Sequence, residues 1–265
     1  MIEITGNTRL YGIVADPVAQ VKTPQTMRKV FERRGTDGVL VPIHVPPAGL
    51  ADVVQAIRSI KNFGGMVVTV PHKTSMVELC DVVTAEARAV GAVNIVRREP
   101  DGTLAGDILD GKGFVEGLRQ NGFKPEGLTV LLCGAGGAAR AIAFALAQAG
   151  IRKLSIHNRT QAAAQQILQG IKTLHPAVET RLGSEDPTGF DLVVNATSLG
   201  MRAEDPLPLD ASRLSATQAV AEIIMTPKLT PLLEQAQAKG CRIQYGLPML
   251  ECQIEMMADF MGVAK

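Results

Sequence analysis

The chain has 265 residues, which suits roughly two domains at ~150 residues each. Its 27 Lys and Arg nearly cancel 26 Asp and Glu, leaving a net charge of +1, so no broad basic surface is available for nucleic acid or anionic lipid. Hydrophobic residues at 46% rule out global disorder, and aromatics at 3% with no Trp speak against stacking platforms for single-stranded nucleic acid.

The apolar content is mainly Ala, Val, Leu and Ile, with 26 Gly, as expected of an α/β protein whose strands are buried on both faces. Strand and helix patterns alternate along the chain. Leu10–Ala15 reads as a buried strand. Thr23-Pro24 reads as an N-cap and first-turn proline for a helix to about Arg34, with Gly35 as its stop. Val39–Val45 is a second strand. A helix follows through Val53, Val54, Ile57 and Ile60, and Met66–Val70 is a strand ended by Pro71. Val93–Arg98 and Thr103–Asp107 flank the turn Pro100-Asp101-Gly102. The pattern resets near 108 into a helix over Gly111–Asn121, and a second α/β series begins. Its strands are expected at Leu128–Cys133, Lys153–His157, Asp191–Asn195, Ala219–Ile224 and Arg242–Tyr245. Its helices are expected at Ala138–Ala149, Ala162–Leu174, Thr230–Lys239 and Leu247–Met261.

Cysteines at 80, 133, 241 and 252 lack the spacing of a metal knuckle or redox pair and read as buried thiols in a reducing cytosol. His44 and His175 have no ligand partners at metal spacing, so no metal is expected. The N-terminus carries no signal peptide pattern. Leu128 to Gly150 is long and apolar enough to span a bilayer. However, Gly134-Ala135-Gly136-Gly137 cuts it into a strand and a helix, which reads as a soluble βα unit rather than a membrane segment.

That glycine cluster, continued by Ala138-Ala139, fits G-x-G-x-x-[GA] between a strand and a helix. The first glycine permits the turn, the second admits a pyrophosphate to the backbone, and the helix N-terminus presents N–H groups to phosphate. A plain tight turn is the bland alternative. The next strand ends His157-Asn158-Arg159-Thr160, with no carboxylate for a ribose 2′-hydroxyl and a guanidinium suited to a 2′-phosphate. This favours NADP, with NAD possible.

Together these segments resemble the shikimate dehydrogenase family. Val68-Thr69-Val70-Pro71-His72-Lys73 is similar to its N-V-T-V-P-x-K segment, and Gly91-Ala92-Val93-Asn94 to its G-A-V-N. Gly106-Asp107-Ile108-Leu109-Asp110-Gly111 is similar to G-D-N-T-D-G. Asn195-Ala196-Thr197-Ser198-Leu199-Gly200 resembles N-A-T-S-x-G, and Gly246 to Gln253 resembles G-x-x-M-L-x-x-Q. The resemblance implies an α/β fold with two domains. A substrate-binding catalytic domain would comprise 1–108 and 246–265, a Rossmann-like dinucleotide domain 109–245, and the active site the cleft between them.

It implies Lys73 and Asp110 as the catalytic pair: an ammonium that stabilises and protonates the alkoxide formed on ketone reduction, and an aspartate that positions it. Thr23, Lys22, Thr69, Asn94 and Gln253 would meet the substrate. Gly134, Ala135, Gly136, Gly137, Ala138, Asn158, Arg159, Thr160, Asn195, Thr197, Gly246 and Met249 would meet the cofactor. His72, beside Lys73, is expected to point away and serve structure. The resemblance fails at Val21, Val67, Ile108, Leu109 and Met225, where the family pattern has Ser, Asn, Asn, Thr and Tyr. Two accounts follow: Lys22 takes over the substrate carboxylate, or the more apolar pocket takes a different hydroxylated ring.

The expected protein is a cytoplasmic NADP-dependent oxidoreductase, monomer or homodimer, exchanging hydride with a shikimate-like acid and binding neither nucleic acid nor membrane. The alternatives are an NAD-linked quinate or shikimate dehydrogenase, a paralogue for another cyclic hydroxy compound, and a non-catalytic ligand sensor.

Overall fold

Apolar runs punctuated by glycine and proline become two six-stranded sheets in the computed structural model, which describes residues 4–264. The chain divides into two compact units, 1–109 with 253–265, and 110–252.

The first unit contains β1 (Arg9–Ala15), α1 (Thr23–Arg34), β2 (Gly38–His44), α2 (Leu50–Ser59), β3 (Phe63–Val68), α3 (Met76–Leu79), β4 (Val82–Val83), α4 (Ala85–Val90), β5 (Ile95–Arg98) and β6 (Leu104–Asp107). Its sheet runs β2-β1-β3-β5-β6-β4. β1 pairs in parallel with β2 and β3, while β5 pairs antiparallel with β3 and β6. The antiparallel pairing of β5 with β6 follows from the tight turn at 100–102. There Gly102 takes φ +93° and its N–H donates to the Glu99 carbonyl at 2.9 Å, folding β5 and β6 into a hairpin. Two sequence expectations shift. Thr23 is the first helical residue, with Lys22 before it in the cap position and no side-chain capping bond. β3 ends at Val68, so Thr69 and Val70 belong to the loop.

The core of this unit joins Tyr11, Ile13, Met27, Phe31, Val67 and Leu109 to Ile254, Met257, Ala258 and Met261. Ile254, Met257 and Ala258 lie on α9 (Leu247–Phe260) and Met261 just follows it; the residues from 253 onward belong to the first unit. Arg34 fastens that stretch to α1, reaching Glu255 at 2.7 Å and Asp259 at 2.9 Å, and Arg33 also pairs with Glu255. Arg98, only 8% exposed, donates to the carbonyls of Ile57 and Arg58 and so closes the C-terminus of α2.

The second unit contains α5 (Asp110–Gln120), β7 (Thr129–Cys133), α6 (Gly137–Gln148), β8 (Lys153–His157), α7 (Gln161–Leu174), β9 (Glu179–Leu182), β10 (Leu192–Asn195), β11 (Ala219–Glu222), α8 (Pro231–Ala238) and β12 (Arg242–Gln244). All its strand pairs are parallel, in the order β12-β11-β10-β7-β8-β9. Counted from β7, this is the doubly wound 3-2-1-4-5-6 arrangement, in which ligands bind outside the strand carboxyl ends where the order reverses. The reversal lies between β7 and β10. Ala139, Ala141 and Ala145 on α6 are buried, and this small-residue surface lets α5 approach closely: a Cβ on Gly111 would lie 2.0 Å from the Ala141 carbonyl oxygen.

Among the described residues, no helix is long and apolar enough to cross a membrane. All four cysteines are free and buried.

Candidate active site

In the second unit, the exits of β7, β8 and β10 border a cavity of about 680 Å³. Gly134 turns the chain out of β7 at φ +114°, a conformation that favours glycine, and a Cβ there would lie 2.8 Å from the Ala196 carbonyl oxygen. Gly136 and Gly137 differ: a Cβ on either would meet nothing within 4 Å. Their open face adjoins the N-terminus of α6, which no side chain caps, so first-turn N–H groups are available to an anion.

Of the expected cofactor residues, Gly134, Ala135, Gly136, Asn158, Arg159, Thr160 and Thr197 line this cavity. Arg159 is exposed, and Asn158 is held by a bond from its Nδ2 to the Thr160 carbonyl at 2.9 Å. Gly137 and Ala138 form the first turn of α6.

Asn195 sits behind this surface, fully buried. Its Oδ1 accepts from Thr197 N and Oγ1 at 3.0 and 2.7 Å, and its Nδ2 donates to the Leu199 carbonyl at 3.0 Å and to Glu222 Oε1 at 2.8 Å. The side chain therefore shapes the loop that Thr197 presents. Gly246 is packed against the Ile224 carbonyl, 2.4 Å from where its Cβ would stand, and Met249 is buried. The cavity is also lined by His157, Glu185 and Pro206 to Pro208, which motif reading passed over. Pro206 and Pro208 belong to a loop after β10, and Glu185 belongs to no motif.

In the first unit, backbone bonds sew the loop after β3 to the turn before β5. Val68 N donates to the Asn94 carbonyl and Val93 N to the Lys73 carbonyl, both at 2.8 Å. Thr69 N donates to the Val14 carbonyl at 3.1 Å. Lys73 and Thr69 thus stand on one braced loop beside Asn94. Asn94 is 1% exposed, and its Oδ1 accepts from Leu109 N at 2.8 Å, which orients the amide. Lys73 and Asp110 are each half-buried, and Asp110 opens α5. His72 is buried, its Nε2 bonded to the Val45 carbonyl at 2.8 Å.

At the start of α1, Lys22 is exposed and Thr23 half-buried, while Val21 packs against the apolar cluster that contains Val67 and Leu109. Three of the five departures from the family pattern therefore share one apolar surface. Ile108 is buried at 2% exposure, whereas Met225 is 46% exposed. Gln253 is buried. His44 Nε2 lies 2.8 Å from Asp16 Oδ1, a partner 28 residues away that local spacing could not reveal.

Comparison with known proteins bears on what such residues do. Residues 13–96 match the family described as shikimate dehydrogenase substrate binding domain, and residues 118–199 the family described as shikimate / quinate 5-dehydrogenase. A shikimate dehydrogenase (NADP(+)) of Geobacter metallireducens is 38% identical, covering 96% of this chain and 91% of its own. Among solved structures, shikimate 5-dehydrogenase from Listeria monocytogenes, in complex with shikimate and NAD, has a TM-score of 0.92 at 32% identity. It covers 98% of this chain and 93% of its own. The ligand-free 5-ketofructose reductase of Gluconobacter sp. strain CHM43 has a TM-score of 0.89 at 33% identity, covering 97% and 94%.

Proposed function

The chain belongs to the shikimate dehydrogenase family, and from that premise we propose that it is an NADP-dependent oxidoreductase interconverting a ring hydroxyl and ketone of a shikimate-like acid. The observation that carries the reading is the glycine-turned cavity at the strand-order reversal, with Arg159 on its wall.

The residues present fit a dinucleotide. Gly136 and Gly137 leave the turn open, the uncapped α6 start offers N–H donors, and Asn158, Arg159 and Thr160 supply polar groups where no carboxylate ends β8. NADP, when bound, supplies or accepts the hydride. Arg159 holds the 2′-phosphate, and Thr197 borders the same surface, kept in place by Asn195. In the first unit, Lys73 stabilises the oxyanion at the reacting carbon and gives it a proton; in the reverse direction its amine receives that proton. Asp110, at the head of α5, is the second member of the catalytic pair that the family resemblance implies. Thr69 and Asn94 bond substrate hydroxyls, Gln253 adds a further amide, and Thr23 with Lys22 holds the carboxylate. The free, buried thiols suit a reducing cytoplasm.

A second reading has support of its own. Val21, Val67 and Leu109 make one apolar surface where the family pattern is polar. The Gluconobacter structure named above is of a reductase for a keto sugar, which bears no carboxylate. A substrate lacking the carboxylate would suit a site that has lost one of the hydroxyls that holds it. Steady-state rates for shikimate, quinate and cyclic or keto-sugar polyols, each with NADP and NAD, test both readings. Turnover of shikimate with NADP supports the first, and turnover confined to neutral polyols supports the second. Absence of any dinucleotide-linked turnover overturns both.

A further inference from the structure

The exit of β8 lacks the carboxylate that would mark a ribose 2′-hydroxyl site, yet a carboxylate reaches the same cavity from elsewhere. Glu185, in the loop after β9, lines it together with Gly134, Gly136, Asn158 and Arg159. Its backbone is anchored, for its carbonyl accepts from Asp210 N at 2.8 Å. Its side chain is 73% exposed, and Oε1 lies 3.9 Å from His157 Nε2 at the end of β8. The same carboxylate is felt at the end of β7: burial pushes the Cys133 thiol up to about 12, and the negative charge of Glu185 adds to that rise. Glu185 thus stands beside the exit of β8, on the wall of the cavity that the glycine turn also lines.

Neighbouring acids are committed elsewhere. Asp186 accepts from Thr188 and pairs with Arg213 at 3.1 Å, and Asp210 accepts from Ser212. Glu185 is the acid of this loop that lines the cavity shared with Arg159 and the glycine turn.

A carboxylate and a guanidinium on one cavity act oppositely on the adenosine ribose. Arg159 attracts a 2′-phosphate, whereas Glu185 repels it and accepts a hydrogen bond from an unmodified 2′-hydroxyl. The effect of a like charge across a solvent-filled cleft is modest and falls with salt. Resting on the reading of this cavity as the dinucleotide site, we propose that Glu185 is a cofactor-specificity residue: it supplies from the loop after β9 the ribose-facing carboxylate that β8 lacks, so that the cleft accepts NAD beside NADP.

The test uses the full chain, the Glu185→Gln variant and two fragments, adenosine 2′,5′-bisphosphate and adenosine 5′-monophosphate, titrated calorimetrically at low and high salt. The isosteric amide should tighten the bisphosphate by roughly threefold to tenfold at low salt and weaken the monophosphate by about twofold or more, with the bisphosphate gain shrinking at high salt. An unchanged ratio of the two affinities, or a parallel change in both, overturns the role of Glu185 while leaving the cofactor site standing. Binding of neither fragment to the unaltered chain overturns the cofactor reading itself, and the proposal with it. Retained monophosphate binding shows that the variant is folded.

Discussion

Asn195 Nδ2 donates to Glu222 Oε1 at 2.8 Å, linking the ends of β10 and β11 through two side chains with no solvent exposure. Glu222 Oε2 accepts from Thr230 Oγ1 at 2.7 Å, and that hydroxyl accepts from Leu233 N to cap α8. Burial raises the Glu222 carboxyl above its ordinary value of 4.5, opposed by its bonds from Asn195 and Thr230. The folded chain therefore holds this proton more tightly than the unfolded chain. The contribution is whole below the unfolded value and is lost as pH rises through the raised folded value. Glu222→Gln should remove that decline, on the order of 1 kcal/mol for each unit by which the folded value is raised. Thermal melts of both proteins from about pH 5 to 8 check it; identical pH slopes would show that Glu222 titrates alike folded and unfolded.

Gly134 and Gly136 should separate folding from binding. Gly134 combines φ +114° with a backbone oxygen 2.8 Å from a Cβ position, so Gly134→Ala should cost ~1–3 kcal/mol and lose dinucleotide affinity. Gly136 has φ −78° and open space, so Gly136→Ala should leave the melting temperature nearly unchanged. Its methyl would occupy the face where a pyrophosphate comes close to the backbone, so NADP binding should weaken at least tenfold (~1.4 kcal/mol). Paired melts and NADP titrations give both numbers. Equal effects of the two substitutions on stability would refute the distinction.

Arg98 spends its guanidinium on the backbone carbonyls of Ile57, Arg58 and Glu99, with bonds of 2.6–3.1 Å. Arg98→Met keeps the stem but leaves the last turn of α2 without its buried donors. The expected loss is ~2–4 kcal/mol, read by chemical denaturation. A loss below ~1 kcal/mol would mean that water replaces the guanidinium at those carbonyls.

Much of this architecture is written in local pattern. α1 begins at Thr23 and stops before Gly35, whose φ of +63° ends the helix as the sequence suggests. The glycine turn falls between β7 and α6. What escaped reading is set by tertiary context. β9 is Glu-Thr-Arg-Leu, polar and mostly exposed at the sheet edge, so no apolar run marks it. α3 and α4, at four and six residues, are too short for a helical period to show. Within the site, the G-x-G turn, Asn158 and Arg159 were legible because a motif holds them at fixed spacing. The Asn195–Glu222–Thr230 chain was not, because its partners lie 27 and 8 residues apart in sequence. Glu185 was hidden for the same reason: it reaches the cavity from a loop after an unrecognised strand.

Lys73 stands on the loop braced by Val93 N at its own carbonyl, 2.8 Å away. Backbone bonding of this kind survives side-chain truncation, so Lys73→Ala should preserve the loop. Loss of the proton donor should lower turnover by ~10²–10⁴-fold, with NADP affinity nearly unchanged because Arg159 and the glycine turn belong to the other unit. Turnover within about tenfold of the unaltered chain would remove Lys73 from proton transfer.

Val21 offers the sharpest test of substrate. It packs against a cluster containing Val67 and Leu109, one residue ahead of Lys22 and two ahead of Thr23. A hydrogen bond to a charged group contributes ~1.5–3 kcal/mol. If a carboxylate is bound at the α1 start, Val21→Ser should therefore lower KM for shikimate by about tenfold to a hundredfold. Because Val21 is only half-buried, the exchange should cost little stability. The effect should be confined to acids, leaving kcat and the KM of any neutral polyol substrate unaltered. Equal changes for acids and polyols would show that residue 21 acts through packing alone, and no change for shikimate would place its carboxylate away from this position.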